Sequence, residues 1–315
     1  MILLTGGAGF IGSNILAALN AEGRDDVIVV DNLTDGSKCR NLAGRRFADY
    51  LDVEELVGAI REDSLPQLSA ICHQGAPADS ATHDGKGAIR AHHTFSKVLL
   101  NLARRNRCPF VYASSSSVYG DGSRGFRECL ECERPRSPYG VSKWIFDEYV
   151  RRLPITPAGN GIPSVIGFRY FNVYGPGESH KGAMASVAWQ CFSAVRRGES
   201  PCVFVGSESI CRDFVSVADV AAINVHFLKA PPAGVRILNV GSGEARSFLD
   251  VATCVSRVTG GSAPVAVGFP EHFRGQYQRS TCADLSNLRA SGYTEPLRTL
   301  EEGIEAYHRE FVAAG

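Results

Sequence analysis

The sequence lacks the features that mark several common classes of protein. It contains no stretch of about 18 or more apolar residues, so we predict no transmembrane helix. The N-terminus has neither a basic segment nor a cleavage site, so we expect no signal peptide and a mature protein that begins at Met1. The formal net charge is zero, because 33 Lys and Arg balance 33 Asp and Glu, which argues against a nucleic-acid-binding protein.

The cysteines also lack the arrangement of a metal site. Ten are scattered along the chain, and only Cys129 and Cys132 have the spacing of zinc ligands. A zinc ribbon needs a second such pair, or a pair of histidines, and neither is present, so we predict no structural metal. We expect the thiols to be free and to act as small hydrophobic residues in a reducing compartment, namely the cytoplasm.

The chain does contain alternating strand-like and helix-like segments. Its 315 residues are enough for about two domains. Short apolar runs predict strands at Ile2–Leu4, Val27–Val30, Ala70–Cys72, Phe110–Ala113 and Val165–Phe168. Helical patterns lie between them, at Ser13–Leu19, Val53–Ile60, Thr94–Arg104 and Ser142–Arg152. This order predicts an α/β fold with a Rossmann-type, doubly wound parallel sheet.

The pattern becomes less regular after about residue 170, where runs of Pro and Gly appear. We therefore predict an NAD(P)-binding domain over residues 1–170, with returning segments near 210–240. Residues 171–315 are predicted to form mainly a smaller, mixed α/β substrate-binding domain.

A glycine-rich turn follows the first predicted strand and opens a helix. Gly6, Gly9 and Gly12 allow a tight turn and let the backbone approach a pyrophosphate at the helix N-terminus. Asp31 ends the second predicted strand, where a ribose-binding carboxylate is expected. Asp31 favours NAD, whereas Lys38 in the following loop could neutralise the 2′-phosphate of NADP, so the choice of cofactor stays open. The alternative is a turn that binds nothing.

Tyr139 and Lys143 form a Y-x-x-x-K pair at the start of a predicted helix, so both lie on one face. A lysine ammonium beside a phenol should lower the phenol pKa from about 10 and prepare it for proton transfer. Ser114–Ser117 follow a predicted strand and can face the crevice where ligands bind in such sheets. The alternatives are a polar loop for the serines and a packed aromatic for Tyr119.

Together these motifs resemble the extended short-chain dehydrogenase/reductase family, many of whose members act on nucleotide sugars. The resemblance rests on the turn at 5–12, on Ser-Ser-x-x-Val-Tyr-Gly at 114–120 and on Pro-Tyr-Gly-x-Ser-Lys at 138–143. Within that family the chain is similar to the ADP-L-glycero-D-manno-heptose 6-epimerases. The matching segments cover essentially the whole chain and lie at 30–38, 167–176, 180–188, 198–201, 212–215 and 275–278. The block His180-Lys181-Gly182 is the most diagnostic of them.

The resemblance implies an NADP-dependent isomerase of lipopolysaccharide core heptose biosynthesis. It would convert ADP-D-glycero-D-manno-heptose to ADP-L-glycero-D-manno-heptose by transient oxidation at C6 to a ketone and re-reduction. Tyr139, supported by Lys143, matches one acid/base group, and Lys181 matches a second group on the opposite side of that carbon. Ser115 matches a serine that hydrogen bonds to the substrate. The alternative for Lys181 is a solvated loop lysine. The resemblance also implies a homo-oligomer, with pentamers typical, and no nucleic-acid or membrane partner.

The resemblance further assigns residues to the two ligands. Those expected at the cofactor are Gly6, Gly9, Phe10, Ile11, Gly12, Asp31, Asn32, Lys38, Gln74, Gly75, Ala76, Lys143 and Val173. Those expected at the nucleotide sugar are Ser115, Asn172, Ala183, Gln190, Phe204, Val205, Gly206, Ser207, Arg212 and Tyr277. Arg212 suits a bidentate grip on a diphosphate, and its alternative is a structural ion pair with Asp213 or Asp219.

Several positions depart from the pattern of close relatives. Val53 replaces a second lysine, which weakens the case for NADP over NAD. Gln74 replaces a glutamate, Ala183 a serine and Gln190 a histidine, so the sugar itself stays open. Ala91 and His92 replace a pair of asparagines, and His92 is interpreted as a packing residue.

The alternatives to a heptose epimerase are another nucleotide-sugar epimerase or reductase, or an inactive cofactor-sensing binding protein. A 4,6-dehydratase is disfavoured, because serines stand where that subfamily carries Thr-Asp-Glu.

Overall fold

The computed structural model describes residues 1–76, 83–153, 164–268 and 280–313. Twelve strands are assigned in these ranges: β1 Ile2–Thr5, β2 Val27–Asp31, β3 Asp49–Asp52, β4 Ala70–His73, β5 Phe110–Ser115, β6 Ser164–Tyr170, β7 Asn172–Tyr174, β8 Cys202–Phe204, β9 Cys211–Ser216, β10 Gly234–Val240, β11 Ala245–Ser247 and β12 Val265–Val267. The α-helices are α1 Phe10–Ala21, α2 Val53–Glu62, α3 Gly85–Ile89, α4 Phe95–Asn106, α5 Pro138–Arg151, α6 Val187–Arg196, α7 Val217–Lys229, α8 Phe248–Thr259, α9 Ser286–Ala290 and α10 Leu300–Ala313.

The chain divides into two compact units. Unit 1 contains Met1–Val118, Pro135–Arg169 and Val220–Leu238, and unit 2 contains Tyr119–Arg134, Tyr170–Asp219 and Asn239–Gly315. The domain boundaries expected from the sequence stay a prediction, because compactness does not say which ligand a unit binds. No helix in the described parts of the chain is long and apolar enough to cross a membrane.

Unit 1 is built on a seven-stranded sheet with the order β10-β6-β5-β4-β1-β2-β3. All residues of these strands belong to unit 1 except the last ones of β6 and β10, which belong to unit 2. The pairs β1–β2, β2–β3, β1–β4 and β4–β5 are all parallel. The strands form where the sequence carries continuous apolar runs, because both faces of such a sheet are covered by helices. Leu3, Ile28, Ile71 and Phe110 are fully buried in this core. The predicted fold class is confirmed.

Unit 2 contains two smaller sheets. In the order β11-β9-β7, β11 is antiparallel to β9 and β7 is parallel to it, and β8 pairs in parallel with β12. A separate hydrophobic core joins α6, α8 and α10 through residues such as Phe192, Val255 and Ile304. The helices α6 and α8 begin at serine caps, since Ser186 accepts the amide of Trp189 and Ser247 accepts that of Asp250.

All five predicted strands extend further than their apolar runs, and four of them gain polar residues at the carboxyl end that reach to Thr5, Asp31, His73 and Ser115. Each of these polar residues is buried and hydrogen bonded, so a hydropathy pattern does not register it as strand. Ser114 and Ser115 therefore belong to β5 rather than to a loop. The polar side chains at these strand ends form the candidate site of unit 1.

Candidate active site

The glycine-rich turn joins β1 to α1, as the sequence predicts. Gly6 has a φ of +70°, and a Cβ on it would lie 2.5 Å from the backbone of Gly75. A Cβ on Gly12 would lie 2.0 Å from the carbonyl oxygen of Gly6. Only glycine therefore allows the ends of β1 and β4 and the start of α1 to approach this closely. The N-terminus of α1, which begins at Phe10 and Ile11, opens directly from this turn and is suited to a dinucleotide pyrophosphate.

Asp31 is held against the same turn. Its side chain is buried, and Oδ2 accepts the amide of Ala8 at 2.9 Å. Oδ1 accepts the amide of Asn32 at 2.8 Å and forms an ion pair with Lys38 Nζ at 2.6 Å. The structure thus brings Asp31, Asn32 and Lys38 together at the end of β2. The carboxylate and the ammonium neutralise each other there.

The end of β4 carries a hydrogen-bonded chain that the sequence did not reveal. His73 Nδ1 lies 2.7 Å from Thr5 Oγ1, and its Nε2 lies 3.0 Å from Ser96 Oγ. Burial lowers the pKa of His73 to about 3, so the imidazole is neutral and serves as a structural link. Gly75 then donates its amide to Thr5 Oγ1 at 3.2 Å. No local motif could have identified His73, because its partners come from other elements.

Gln74 and Ala76 follow on the same segment, and both are half-buried. The Gln74 amide donates to Asn224 Oδ1 at 3.1 Å, and Asn224 is itself fully buried on α7. Asn224 in turn donates to the carbonyl of Val220 at 2.8 Å. Gln74 is therefore fixed at the carboxyl end of the sheet, where the cofactor residues are expected. The residues at 77 and 78, which the resemblance also places along the cofactor, lie outside the described ranges.

Tyr139, Lys143 and Ser115 lie together at the carboxyl end of β5. The helix α5 begins at Pro138, capped by Ser137, so Tyr139 and Lys143 lie one turn apart on one face. Lys143 Nζ lies 5.7 Å from the centre of the Tyr139 ring and donates to the carbonyl of Ala113 at 2.8 Å. Ser115 Oγ hydrogen bonds to Ser117 Oγ at 3.1 Å and to the Tyr139 side chain. The His92 ring packs edge-on against Tyr139, consistent with a packing role.

The expected direction of the Tyr139 pKa is wrong for the chain on its own. Burial raises the pKa of Tyr139 above its ordinary value, and the hydrogen bond from Ser115 lowers it only in part. Burial also lowers the pKa of Lys143 to about 8, against a smaller opposing effect of Asp147. Removing water from a phenol and an ammonium disfavours the charged form of each, and this outweighs the attraction that the sequence spacing suggests.

A buried ion pair lies behind this group. Asp147, one turn after Lys143 on α5, accepts Arg169 Nη2 at 2.8 Å and Nε at 3.0 Å. The hydroxyl groups of Tyr112 and Ser114 also donate to it, at 2.8 and 3.0 Å. The side chains of Asp147 and Arg169 are both 0% exposed. They hold α5 against β5 and β6 and so fix the position of Tyr139 and Lys143.

Lys181 belongs to unit 2 and lies in a short 3-10 segment, Ser179–Met184. Its side chain is 26% exposed, and its ammonium lies 4.0 Å from Glu178 Oε2. Glu178 is fully buried and accepts the amide and hydroxyl of Ser186, each at 2.6 Å. Burial lowers the pKa of Lys181, and Glu178 opposes that effect. Lys181 is thus not simply a solvated loop lysine. Nothing in the sequence indicated that Glu178 is buried beside Lys181, because a glutamate in a loop is usually exposed.

The other residues of unit 2 that are predicted at the nucleotide sugar, together with Val173, which is predicted at the cofactor, lie on β7, β8 and β9, on nearby loops, in the 3-10 segment Ser179–Met184 and on α6. Asn172 and Val173 are on β7, Phe204 is on β8, and Arg212 is on β9, where it is buried. Val205 is exposed and Gly206 half-buried, whereas Ser207 is buried. Ala183 and Gln190 are exposed, and Gln190 donates to the carbonyl of Gly182 at 2.9 Å. Tyr277 lies outside the described residues.

Asp213 and Asp219, the acidic residues of the alternative assigned to Arg212, also have other partners, and that alternative stays a prediction. Asp213 accepts the amides of Gly243 and Ala283, at 3.0 and 2.9 Å. Asp219 pairs with Arg298 and accepts the amide of that residue. Arg212 donates to the carbonyl of Cys211 at 2.8 Å, and its guanidinium lies 5.7 Å from the centre of the Phe248 ring. Asp213 and Asp219 thus serve the backbone and Arg298.

Comparison with known families finds one match. The model of the NAD dependent epimerase/dehydratase family matches residues 2–241.

Three solved structures illustrate the range of similar enzymes. ADP-L-glycero-D-manno-heptose-6-epimerase from Helicobacter pylori is 28% identical, with coverage of 99% of this chain and 96% of that one and a TM-score of 0.84. UDP-N-acetylglucosamine 4-epimerase from Methanobrevibacter ruminantium, in complex with UDP-N-acetylmuramic acid, is 26% identical, with coverage of 100% and 98% and a TM-score of 0.85. UDP-glucose 4-epimerase from Thermus thermophilus, in complex with NAD, is 28% identical, with coverage of 100% and 99% and a TM-score of 0.79.

Proposed function

Because the chain belongs to the NAD dependent epimerase/dehydratase family, we propose that it is a nucleotide-sugar epimerase with a nicotinamide dinucleotide as cofactor. The observation that carries this proposal is the group formed by the buried Ser115 and Lys143 and the partly buried Tyr139 at the carboxyl end of β5. A hydroxyl, a phenol and an amine that share one water-poor position can exchange a proton with a carbinol.

The finer proposal is epimerisation at C6 of ADP-D-glycero-D-manno-heptose to the L-glycero form, a step of lipopolysaccharide core heptose biosynthesis. It is supported by the motif around Lys181 and by the similarity to the Helicobacter pylori heptose epimerase. Two epimers present their hydroxyl in different places, so one fixed phenol serves only one of them. Tyr139 is proposed to act on one hydroxyl position and Lys181 on the other, with Glu178 raising the pKa of the amine against the larger effect of burial.

The residues of unit 1 fit the proposed cofactor. Gly6, Gly9 and Gly12 let the backbone approach a pyrophosphate at the start of α1, and Asp31 and Asn32 can bind the adenosine ribose. When bound, the dinucleotide supplies reversible oxidation of the carbinol carbon. With Tyr139 ionised, its phenolate oxygen would accept the proton of the substrate hydroxyl, and Ser115 Oγ would orient that hydroxyl by a hydrogen bond. The positive ring would lower the Tyr139 pKa, which burial raises in the chain alone.

We propose NADP rather than NAD, because Lys38 neutralises Asp31 and removes the repulsion that a bare carboxylate would exert on a 2′-phosphate. The test is to denature the purified protein and identify the released dinucleotide by mass. Two results together would contradict this assignment: release of NAD alone, and binding of added NADP that is no tighter than binding of added NAD.

The activity is tested by incubating the protein with ADP-D-glycero-D-manno-heptose in D₂O and following both epimers by NMR. Oxidation and re-reduction at one carbon should interconvert them without placing solvent deuterium on C6. Tyr139→Phe combined with Lys181→Met should abolish interconversion while the dinucleotide still binds. Unchanged turnover of that double variant would rule out the proposed acid/base roles.

The second candidate is 4-epimerisation of a UDP-sugar. It is favoured by the two UDP-sugar 4-epimerases above, which match this chain at almost the same identity as the heptose epimerase. It is also favoured by Ala183 and Gln190, which depart from the heptose epimerase pattern. UDP-glucose offered under the same conditions separates the two. Conversion of UDP-glucose, with none of ADP-heptose, would replace the first proposal by the second.

A further inference from the structure

Cys129 and Cys132 form a close pair of thiols in unit 2. They flank one 3-10 turn, in which the amide of Cys132 donates to the carbonyl of Cys129 at 3.1 Å. The Cys129 thiol donates to Cys132 Sγ at 3.3 Å, and the Cys132 thiol donates to the carbonyl of Arg124 at 2.9 Å. All ten cysteines are free, and no other pair of these thiols is within hydrogen-bonding distance. The turn therefore holds two thiols in contact, and together they can supply two electrons to an oxidant.

The geometry of this turn suits a disulfide. A disulfide needs its sulfur atoms about 2.05 Å apart and its Cα atoms roughly 4.4–6.8 Å apart. A hydrogen-bonded four-residue turn keeps its terminal Cα atoms within about 7 Å, so the backbone is already close to the second condition. To meet the first condition, the two Sγ atoms must approach from 3.3 Å to about 2.05 Å, which is a movement of about 1.25 Å. Ring closure consequently needs side-chain rotation rather than a change of fold.

Access to the pair is one-sided. Cys129 is partly exposed, whereas Cys132 is only 4% exposed. A cavity of about 400 Å³ opens beside Cys129, lined by Arg127, Glu128, Glu131, Asp284, Ser286 and Asn287. An external disulfide in this cavity would react with Cys129 first. Cys132 is then the thiol placed to attack the mixed disulfide that forms on Cys129. This is the division of labour between an attacking and a resolving cysteine.

A metal is the other ligand that a C-x-x-C pair suggests, and it lacks support here. Within the described ranges, no group of three or more His, Cys, Asp or Glu side chains is placed to hold a metal ion. Structural zinc sites use four such ligands. The pair of thiols is thus better suited to redox chemistry.

We propose that Cys129 and Cys132 are a thiol–disulfide exchange site that reacts with a low-molecular-weight disulfide of the glutathione class. The thiolate of Cys129 attacks one sulfur of the external disulfide, forming a mixed disulfide and releasing the first thiolate. Cys132 then loses its proton and attacks Cys129 Sγ, which breaks the mixed disulfide and releases the second thiolate. The two protein thiols are oxidised to one disulfide, the external disulfide is reduced to two thiols, and the two protons are transferred to them.

The structure also sets the pH dependence of the first step. The hydrogen bond between the two thiols raises the pKa of Cys129 above its ordinary value, as does burial. Because the thiolate is the attacking form, the exchange should become faster as the pH rises through the alkaline range.

The test uses the full chain in buffers of oxidised and reduced glutathione, followed by acid quench, trypsin digestion and mass spectrometry. Trypsin cuts after Arg127 and Arg136 and is blocked at Arg134 by Pro135, so one peptide carries both cysteines and no other. We expect this peptide to lose two hydrogens in oxidising buffer and to regain them with dithiothreitol. Persistence of the dithiol, or a glutathione adduct that never closes to a ring, would overturn the proposal.

Two variants and one internal control make the test specific. Cys132→Ser should leave a stable glutathione adduct on Cys129, whereas Cys129→Ser should leave the buried Cys132 unmodified. Peptide 280–289 carries the exposed Cys282 alone and should show a simple adduct, with no ring closure, in every sample from oxidising buffer. Ring closure does not depend on catalysis, so this result stands apart from the proposed epimerase activity. An adduct on Cys132 in Cys129→Ser that forms as fast as that on Cys282 would refute one-sided access.

Discussion

Replacing Asp147 by Asn should strongly destabilise unit 1, although the substitution removes no carbon atom. Asp147 and Arg169 are each 0% exposed, and the carboxylate accepts two bonds from the guanidinium and one each from Tyr112 and Ser114. The asparagine amide keeps only one oxygen acceptor. Its NH₂ group takes the place of the other carboxylate oxygen and faces groups that are themselves donors. The substitution also leaves Arg169 as a buried cation that has lost its paired charge.

The expected loss follows from that environment. Breaking a buried ion pair by removing one partner costs about 3–5 kcal/mol, because the remaining charge stays desolvated. That is a large fraction of the roughly 5–15 kcal/mol by which domains are stable. The matched control is Glu148→Gln, at the next position of α5. Glu148 forms i,i+3 and i,i+4 pairs with Arg151 and Arg152, and a partly exposed pair of this kind contributes under about 1 kcal/mol.

The assay is urea unfolding monitored by Trp144 fluorescence. The chain has two tryptophans, and Trp144 lies on α5 three residues before Asp147. A Trp189→Phe background therefore makes the signal specific to unit 1, which matters because a chain of two units need not unfold in one step. If Asp147→Asn lost no more stability than Glu148→Gln, the buried pair would not carry the stability assigned to it, and the reasoning would fail.

Three further outcomes follow from the charged groups of the candidate site. Burial sets the folded pKa of Lys143 to about 8, below its unfolded value of about 10.4, so the unfolded chain binds the extra proton between these pH values. The stability measured by urea should rise with pH in that window, and Lys143→Met should flatten the rise. Lys38→Met should leave Asp31 uncompensated and weaken NADP binding at least tenfold relative to NAD, measured by titration calorimetry. Glu178→Gln should lower the Lys181 pKa and move the corresponding limb of the pH–rate profile to lower pH.

Five of the seven strands in the sheet of unit 1 could be predicted from the sequence, because β1, β2, β4, β5 and β6 each contain a continuous apolar run. The other two, β3 and β10, carry polar residues and are only partly buried, so no apolar run predicted them. Both faces of β1, β2 and β5 are covered, so their runs stand out against the helical patterns between them. The glycine-rich turn and the pair Tyr139–Lys143 were predictable for a different reason, since each is a local pattern with a steric or helical requirement. Local patterns identify the residues that touch one another within a few positions of the chain.

The residues that hold these groups could not be predicted in the same way. Asp147 finds Arg169 across 22 positions and Tyr112 across 35, so no window of sequence contains the group. His73 is linked to Thr5 across 68 positions. The predicted direction of the Tyr139 pKa shift was wrong for the chain on its own. The sequence gives the spacing of Tyr139 and Lys143 along a helix, but not how far burial removes water from each group.

Both proposed catalytic amines share one electrostatic arrangement, reached by different elements in the two units. Lys143 lies one helical turn before Asp147, and Lys181 lies three residues after Glu178. Burial lowers the pKa of each amine, and the carboxylate raises it partway back. Each carboxylate is fixed by hydroxyl and backbone donors, or by a guanidinium, so it cannot follow the amine if the amine moves. An amine whose pKa is lowered in this way releases its proton more readily than a solvated lysine, which suits acid/base chemistry at a sugar carbinol.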